Sequence, residues 1–309
     1  MKSYSVTTGI MNNQPNLLDI SSIASTRAKP RLSIGMPVYN GAKFIRDALD
    51  SLLGQSFTNF ELIISDNAST DETEAICREY AAKDSRIRYV RQTHNRGAAA
   101  NFKYVLDQAV AEYFMWAAAD DVWDRDWVAA LLPIAVKNSC LAFGSIRTID
   151  EVGTLISHPA NNGTFTYSGS KPLRRLKYVL EPNFLGKANP IYGIFPKKII
   201  GDDAINILSS GLWAADTHFL YHILGKCDIK STKEVFLYKR IHSLGASNPE
   251  HSDFDRAVAN LRGYGAQSSI FERILLVSLL PVAPLARIYG MFIQVKRQIE
   301  EAMFLNSRV

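Results

Sequence analysis

Several acidic side chains and one basic cluster in this 309-residue chain have the type and placing to do chemistry. Asp120 and Asp121 follow the apolar run Tyr113 to Ala117. Hard cations such as Mg²⁺ and Mn²⁺ prefer carboxylate oxygen and keep positions open for phosphate oxygens, which makes Asp120 the metal-ligand candidate. Adjacent strand residues point to opposite faces, so Asp121 is not expected to share that cation. The same pair could instead cap a helix near Arg125. Asp66, in SDNASTD, either accepts from the N3–H of uracil or thymine or closes an Asx-turn on its own loop. Asp71 has the simpler account of a carboxylate complementing a helix dipole. Asp216, in GLWAADTHF, either takes a proton from an attacking hydroxyl or caps its helix. In YKRIHSLGAS, Lys239 and Arg240 suit a diphosphate, and a neutral His242 suits a transition ion such as Mn²⁺. A surface charge cluster is the rival account of that segment.

These residues need elements to position them. From Leu32 short β-rich runs alternate with amphipathic segments, the rhythm of strand-helix-strand units around a mainly parallel sheet. Strands are expected at Leu32 to Val38, Phe60 to Ser65, Ile87 to Val90 and Tyr113 to Ala117. The apolar spacing of Ile45, Ala48, Leu49, Leu52 and Leu53 predicts a helix that Gly54 stops. Ser69 with Glu72 reads as a capping box, starting a helix near Thr70 that runs to about Lys83. Another helix is expected over Ala98 to Val110, after the turn residues Asn95 to Gly97. Tyr39-Asn40, Asp66-Asn67 and Asp120-Asp121 then all fall at carboxyl ends of strands, where open parallel sheets bind ligands. Beyond Asp150 the rhythm loosens into an expected loop-rich acceptor region, with helical spacing returning over Trp213 to Gly225.

Composition narrows the classes. The net charge of +5 is modest and forms no dense basic stripe, which suits an anionic ligand or an acidic membrane surface and not a nucleic-acid groove. Cys77, Cys140 and Cys227 form no C-x-x-C pair, which argues against a disulfide framework or a zinc site and for a reducing, cytosolic setting. Residues 1–29 read as a flexible leader without a signal-peptide core. Ile274 to Ala286 is too short to span a bilayer and is interrupted by Pro281 and Pro284. Ile270, Ile274, Val277, Leu280 and Leu285 lie among Arg273, Arg287, Lys296 and Arg297. That mix fits an interfacial segment on anionic lipid or a helix packed on the core.

The segment from Ser33 to Thr73, SIGMPVYNGAKFIRDALDSLLGQSFTNFELIISDNASTDET, resembles the amino-terminal signature of family 2 glycosyltransferases, which have the GT-A fold. The likeness continues through NRGAAANF at Asn95 to Phe102 and YFMWAAADDVW at Tyr113 to Trp123, and returns at AADTHFLYHILGKC and YKRIHSLGAS. The resemblance implies an α/β fold with a mainly parallel nucleotide-binding sheet flanked by helices. It also implies inverting transfer from a nucleoside-diphosphate sugar, UDP- or dTDP-linked, to a saccharide or polyprenyl-linked acceptor of bacterial surface polysaccharide or glycolipid synthesis. Pro37, Val38, Tyr39, Asn40, Asp66, Asn67, Arg96, Gly97, Ala119, Asp120, Lys239 and Arg240 are the implied nucleotide-sugar contacts. Asp216 is the implied catalytic base, and Asp120 with His242 the implied holders of Mn²⁺ or Mg²⁺. One departure stands out: Ala118 replaces the first carboxylate of the family's D-x-D motif. Cation dependence is therefore expected to be weak or differently arranged, and a binding protein that has lost catalysis is the alternative. A nucleotidyltransferase is disfavoured, because MPVYNGAKF is a poor Gly-rich phosphate loop.

The expected organisation is a leader over 1–29 and a GT-A domain over 30–248, its nucleotide-sugar half 30–150 and its acceptor half 151–248. A helical extension over 249–309 follows, with the whole in the cytoplasm or peripheral at the inner face of the plasma membrane. The sequence leaves the oligomeric state open.

Overall fold

A computed structural model describes residues 29–210, 214–242 and 253–278, with further helical positions between 288 and 299. The leader over 1–28, residues 211–213 and 243–247 of two signatures, and Leu280, Leu285 and Arg287 lie outside the described residues.

The first half follows the alternation β1 (Leu32–Val38), α1 (Ile45–Leu53), β2 (Phe60–Asp66), α2 (Thr73–Lys83), β3 (Ile87–Arg91), α3 (Ala98–Asp107) and β4 (Tyr113–Trp116). It continues through β5 (Val122–Trp123), α4 (Trp127–Asn138), β6 (Leu141–Ile149), α5 (Lys171–Leu180), β7 (Phe195–Pro196), α6 (Asp202–Leu208), α7 (Ala215–Ile223) and β8 (Ile229–Arg240). Two helices, α8 (Asp253–Ala266) and α9 (Ile270–Ser278), come after.

The main sheet has the order β3-β2-β1-β4-β7, parallel except for the antiparallel edge strand β7. β1 and β2 are nearly continuous buried runs, as expected for strands covered by helices on both faces. α1 closes one face with Ile45, Ala48, Leu49 and Leu52. α3 lies so near β1 that a Cβ on Gly35 would stand 2.7 Å from Val105 Cγ2, so this position needs glycine.

Two helix boundaries differ from the sequence expectation by three residues. α2 begins at Thr73, not Thr70, and no capping box forms. The Ser69 hydroxyl accepts from Asn40 N at 2.9 Å instead of capping, and Asp71 takes Thr73 N at 3.1 Å and Ala42 N at 3.0 Å. Asp71 thus precedes the helix and ties it to the β1–α1 loop. α3 stops at Asp107, three residues early, where the Gln108 carbonyl turns to accept from the Arg88 guanidinium.

A second sheet, ordered β5-β8-β6, sets β8 parallel to β6 and antiparallel to β5. Val122 faces Tyr238, and continuing that register carries residue 240 back beside residue 120. Backbone geometry therefore brings the carboxyl ends of β4 and β8 together, although 120 residues separate them in the chain.

Candidate active site

Three strand-end loops meet above the parallel sheet. Val38 pairs with Asp66 in register, and Asn67 N donates to the Val38 carbonyl at 2.8 Å. Asn40 takes a left-handed backbone, φ +51°, which asparagine tolerates better than most residues. Its Oδ1 accepts from Thr70 N at 2.8 Å, so the first two loops are stitched to each other. A Cβ on Gly41 would meet Ala119 at 3.5 Å, which places the third loop alongside. Pro37 is half-buried, while Tyr39 leaves its ring exposed at the rim.

Asp66 is wholly buried. Its Oδ1 accepts from Ser69 N at 2.8 Å and its Oδ2 from the Tyr89 hydroxyl at 2.8 Å. These are the bonds of a loop aspartate holding its own turn, and any base contact has to use the lone pairs that remain. Asn67 is likewise buried and fastens the loop before α3. Its Nδ2 donates to Asn95 Oδ1 at 2.8 Å, and its Oδ1 accepts from Arg96 N at 2.9 Å. Gly97 has φ +82° with open space where a side chain would be, while the Arg96 side chain is exposed.

Beneath these loops lies a residue that the sequence reading quoted without assigning. Asn101, in the first turn of α3, accepts from Ser65 Oγ at 2.6 Å and donates to the Ser65 carbonyl at 2.8 Å. The signal was its place four residues after Gly97, which turns it back toward the strand ends.

Asp120 and Asp121 lie in the bend between β4 and β5, not in a strand, and take different partners. Neither caps α4, whose first residue, Trp127, donates to the Asp124 carbonyl. Asp120 Oδ2 stands 2.9 Å from His242 Nε2, and the imidazole packs on Phe44 at 4.8 Å between ring centroids. Asp121 is fully buried and accepts from Lys239 Nζ at 3.0 Å and Arg240 N at 2.9 Å. Burial pulls the Lys239 ammonium down, but the Asp121 carboxylate outweighs it and raises the pKa, while burial raises Asp121 against the pull of Lys239.

Lys239 and Arg240 are therefore not the open diphosphate clamp expected from their charges. The Arg240 guanidinium donates to the carbonyls of Asp120, Asp150 and Glu151 and to Asp47 Oδ2 at 2.8–3.2 Å. Its side chain is 1% exposed, so its fork braces the backbone that carries Asp120.

Asp216 sits in the first turn of α7, half-buried, and its Oδ1 accepts from Thr217 N at 2.7 Å. The N-cap is Ala214, so the capping alternative does not describe Asp216. Tyr192 lies under the Lys239 ammonium, 5.2 Å from its ring centroid. Burial pushes its phenol up to about 12, with Lys239 acting against that shift and Asp121, Asp120 and Asp216 adding to it. Tyr192 carried no motif that would have singled it out.

Asp120 and His242 offer an oxygen and a nitrogen donor to the same point, a set that suits Mn²⁺ or Mg²⁺. Among the described residues no group of three His, Cys, Asp or Glu gathers to hold a metal ion. The pair therefore fits a cation whose remaining positions are filled by substrate oxygens, not a closed protein cage.

Comparison with known proteins bears on the fold and the chemistry. An uncharacterized glycosyltransferase of Rickettsia felis is 27% identical over 220 residues, 69% of this chain and 35% of its own length. The putative teichuronic acid biosynthesis glycosyltransferase TuaG of Bacillus subtilis is 36% identical over 115 residues, 37% of this chain and 46% of its own. The chain thus spans less than half the length of either relative. The crystal structure of S. aureus TarS 1–349 superposes with a TM-score of 0.56 at 18% identity, covering 89% of this chain and 92% of that one. A mannosyltransferase of Pyrobaculum calidifontis, solved with GDP-Man and Mn²⁺, gives 0.50 at 18% identity over 88% and 87%. The architecture is that of GT-A glycosyltransferases, as expected from the sequence. The family described as glycosyl transferase family 2 matches residues 33–192, more than half of the chain, and the protein belongs to that family.

Proposed function

We propose that the chain is an inverting transferase that moves a sugar from a nucleoside-diphosphate sugar to a hydroxyl of a saccharide or lipid-linked saccharide. A uridine or thymidine donor is favoured, and bacterial surface polysaccharide or glycolipid synthesis is the setting. TuaG is named for teichuronic acid biosynthesis, and TarS has been solved with UDP-GlcNAc, which supports both choices. The nucleotide-sugar half is 30–150, the acceptor half 151–248, and the extension 249–309. The work is cytoplasmic, at the inner face of the plasma membrane when a lipid carries the acceptor.

The observation that carries this reading is the 2.9 Å meeting of Asp120 and His242 at the strand-end loops of a chain that belongs to glycosyl transferase family 2. Asp216 takes the proton of the acceptor hydroxyl as its oxygen bonds to the anomeric carbon. The bond from that carbon to the diphosphate oxygen breaks on the opposite face, its electron pair leaves with the diphosphate, and the configuration inverts. Pro37, Val38, Tyr39 and Asn40 line the nucleotide with Arg96, Gly97 and Ala119, while Asp66 faces the base and Asn67 holds its loop. Asp120 and His242 would hold a divalent cation, which when bound offsets the charge gathering on the leaving diphosphate. Lys239 and Arg240 serve that site by fixing Asp121 and the Asp120 backbone.

Asp216→Asn tests the proposal with UDP-, dTDP- and GDP-sugars as donors. Transfer is expected to fall at least about 100-fold while nucleotide binding by calorimetry is kept. Full transfer by that variant would remove Asp216 from the mechanism.

A further inference from the structure

The two C-terminal helical segments are amphipathic the wrong way round for helices packed on a core. Successive helical residues turn by about 100°, so Ile270, Ile274 and Val277 share one face of α9 with Phe271 at its edge. All four are exposed, Phe271 at 65%. The opposite face holds Leu276 and Glu272, whose buried carboxylate accepts from Arg175 Nη1 at 3.2 Å.

The helical positions between 288 and 299 repeat the arrangement. Ile288, Met291, Phe292, Val295 and Ile299 fall within one stripe and are all exposed, Phe292 at 71%. Gly290 and Arg297 lie on the other side of that helix. A Cβ on Gly290 would stand 2.5 Å from Pro182, and Arg297 reaches Glu181 at 3.6 Å and the Leu185 carbonyl at 3.3 Å. The segments spend Glu272 and Arg297 on the protein and turn their aliphatic and aromatic residues outward. A helix in water does the reverse, because exposed apolar area costs about 25 cal/mol per Å².

We infer that this outward surface is the docking face for an anionic lipid bilayer. Charge selects that occupant. From 270 to 301 the sequence has three acidic residues, Glu272, Glu300 and Glu301, and four basic ones, Arg273, Arg287, Lys296 and Arg297. Glu272 is consumed inside, whereas Arg273 and Lys296 are exposed beside the apolar stripes. A second copy docked on the same surface would set cation against cation, since a two-fold interface matches a patch with itself. Negatively charged headgroups match both features at once. Among the described residues no helix is long and apolar enough to cross a membrane, so the contact lies in the interface plane. The surface deepens the membrane-side setting proposed above but does not depend on the chemistry at Asp216.

Flotation of the full chain with vesicles of phosphatidylcholine alone, or with about one-third phosphatidylglycerol, tests this. The protein is expected to float with the anionic vesicles and to be released by high salt. Phe271→Ser with Phe292→Ser, at exposed positions that leave the core intact, should cut the floated fraction at least about tenfold. Arg273→Gln with Lys296→Gln should weaken partitioning roughly fivefold per residue. Hydrolysis of a water-soluble nucleotide sugar should be unchanged in all of these variants, which separates failure of the surface from failure of the catalytic reading. Absence of flotation at low salt, or flotation unaltered by the serine pair, would overturn the inference. So would a concentration-dependent dimer, seen by light scattering, that the serine pair dissolves.

Discussion

The Oδ2 of Asp120 and the Nε2 of His242 stand 2.9 Å apart, although 122 positions separate them in the chain. With Ala118 in place of the other D-x-D carboxylate, these are the two protein donors positioned to share a cation. Asp120→Ala should therefore abolish cation-stimulated transfer. His242→Ala should raise the Mn²⁺ concentration for half-maximal rate by about 10- to 100-fold. A metal titration of donor turnover reads both, and full activity of the wild-type chain in chelator would remove the cation from the site.

Arg240 carries the second prediction. Its guanidinium makes four bonds to Asp120, Asp150, Glu151 and Asp47, and lysine cannot reproduce that fork. Arg240→Lys should cost about 2–4 kcal/mol in urea denaturation and lower turnover through the displaced Asp120 backbone. If the variant were as stable as wild type but bound donor more weakly, Arg240 would return to the role of a diphosphate ligand.

This residue also marks where the sequence stops being informative. The bounds of β1 and α1 were legible because a buried parallel strand and a one-sided helix write their periods into consecutive residues. β6 was not, since a strand buried at every position shows no alternation. β8 escaped because its pairing with β6 and β5 reaches back about 90 to 120 residues. The same distance hid how the cations are spent: Lys239 and Arg240 look like ligand residues until Asp121 and the carbonyls of Asp150 and Glu151 arrive beside them. Asp120 and His242 stand out singly as candidates in the sequence, but their meeting depends on a sheet that local patterns do not reveal.

Asn101 carries a prediction about binding. Its amide is shared between the hydroxyl and carbonyl of Ser65, one residue before Asp66. Asn101→Ala leaves both groups buried without that partner and should cost about 2–4 kcal/mol. Loosened loops should raise the donor KM more than they lower kcat, because Asn101 touches the strand ends and not Asp216. Calorimetry with UDP checks this, and unchanged affinity in a destabilised variant would confine Asn101 to structure.

Lys187 carries a prediction about pH. It is buried and donates to the Tyr178 carbonyl at 3.0 Å, with the Tyr178 and Tyr264 rings 4.9 Å and 5.7 Å away. Burial lowers its pKa to about 7, and the carboxylate of Glu181 only partly restores it. Folding therefore works against the charged form. Between the folded value and the higher unfolded one, the unfolded chain holds more protons, so this group makes stability rise with pH. Below pH 7 both states are protonated and the full penalty applies. Lys187→Met removes the charge from the site, so its stability gain over wild type should be largest near pH 6. That gain should shrink by roughly 3 kcal/mol by pH 9, following about 1.4 kcal/mol per pH unit across the window. Glu181 and His218 both feel the Lys187 charge, so the difference reads Lys187 together with its effect on them. Paired urea melts at the two pH values read the gap directly. A gap that stayed constant would mean that Lys187 is solvated enough to keep its ordinary pKa in the fold.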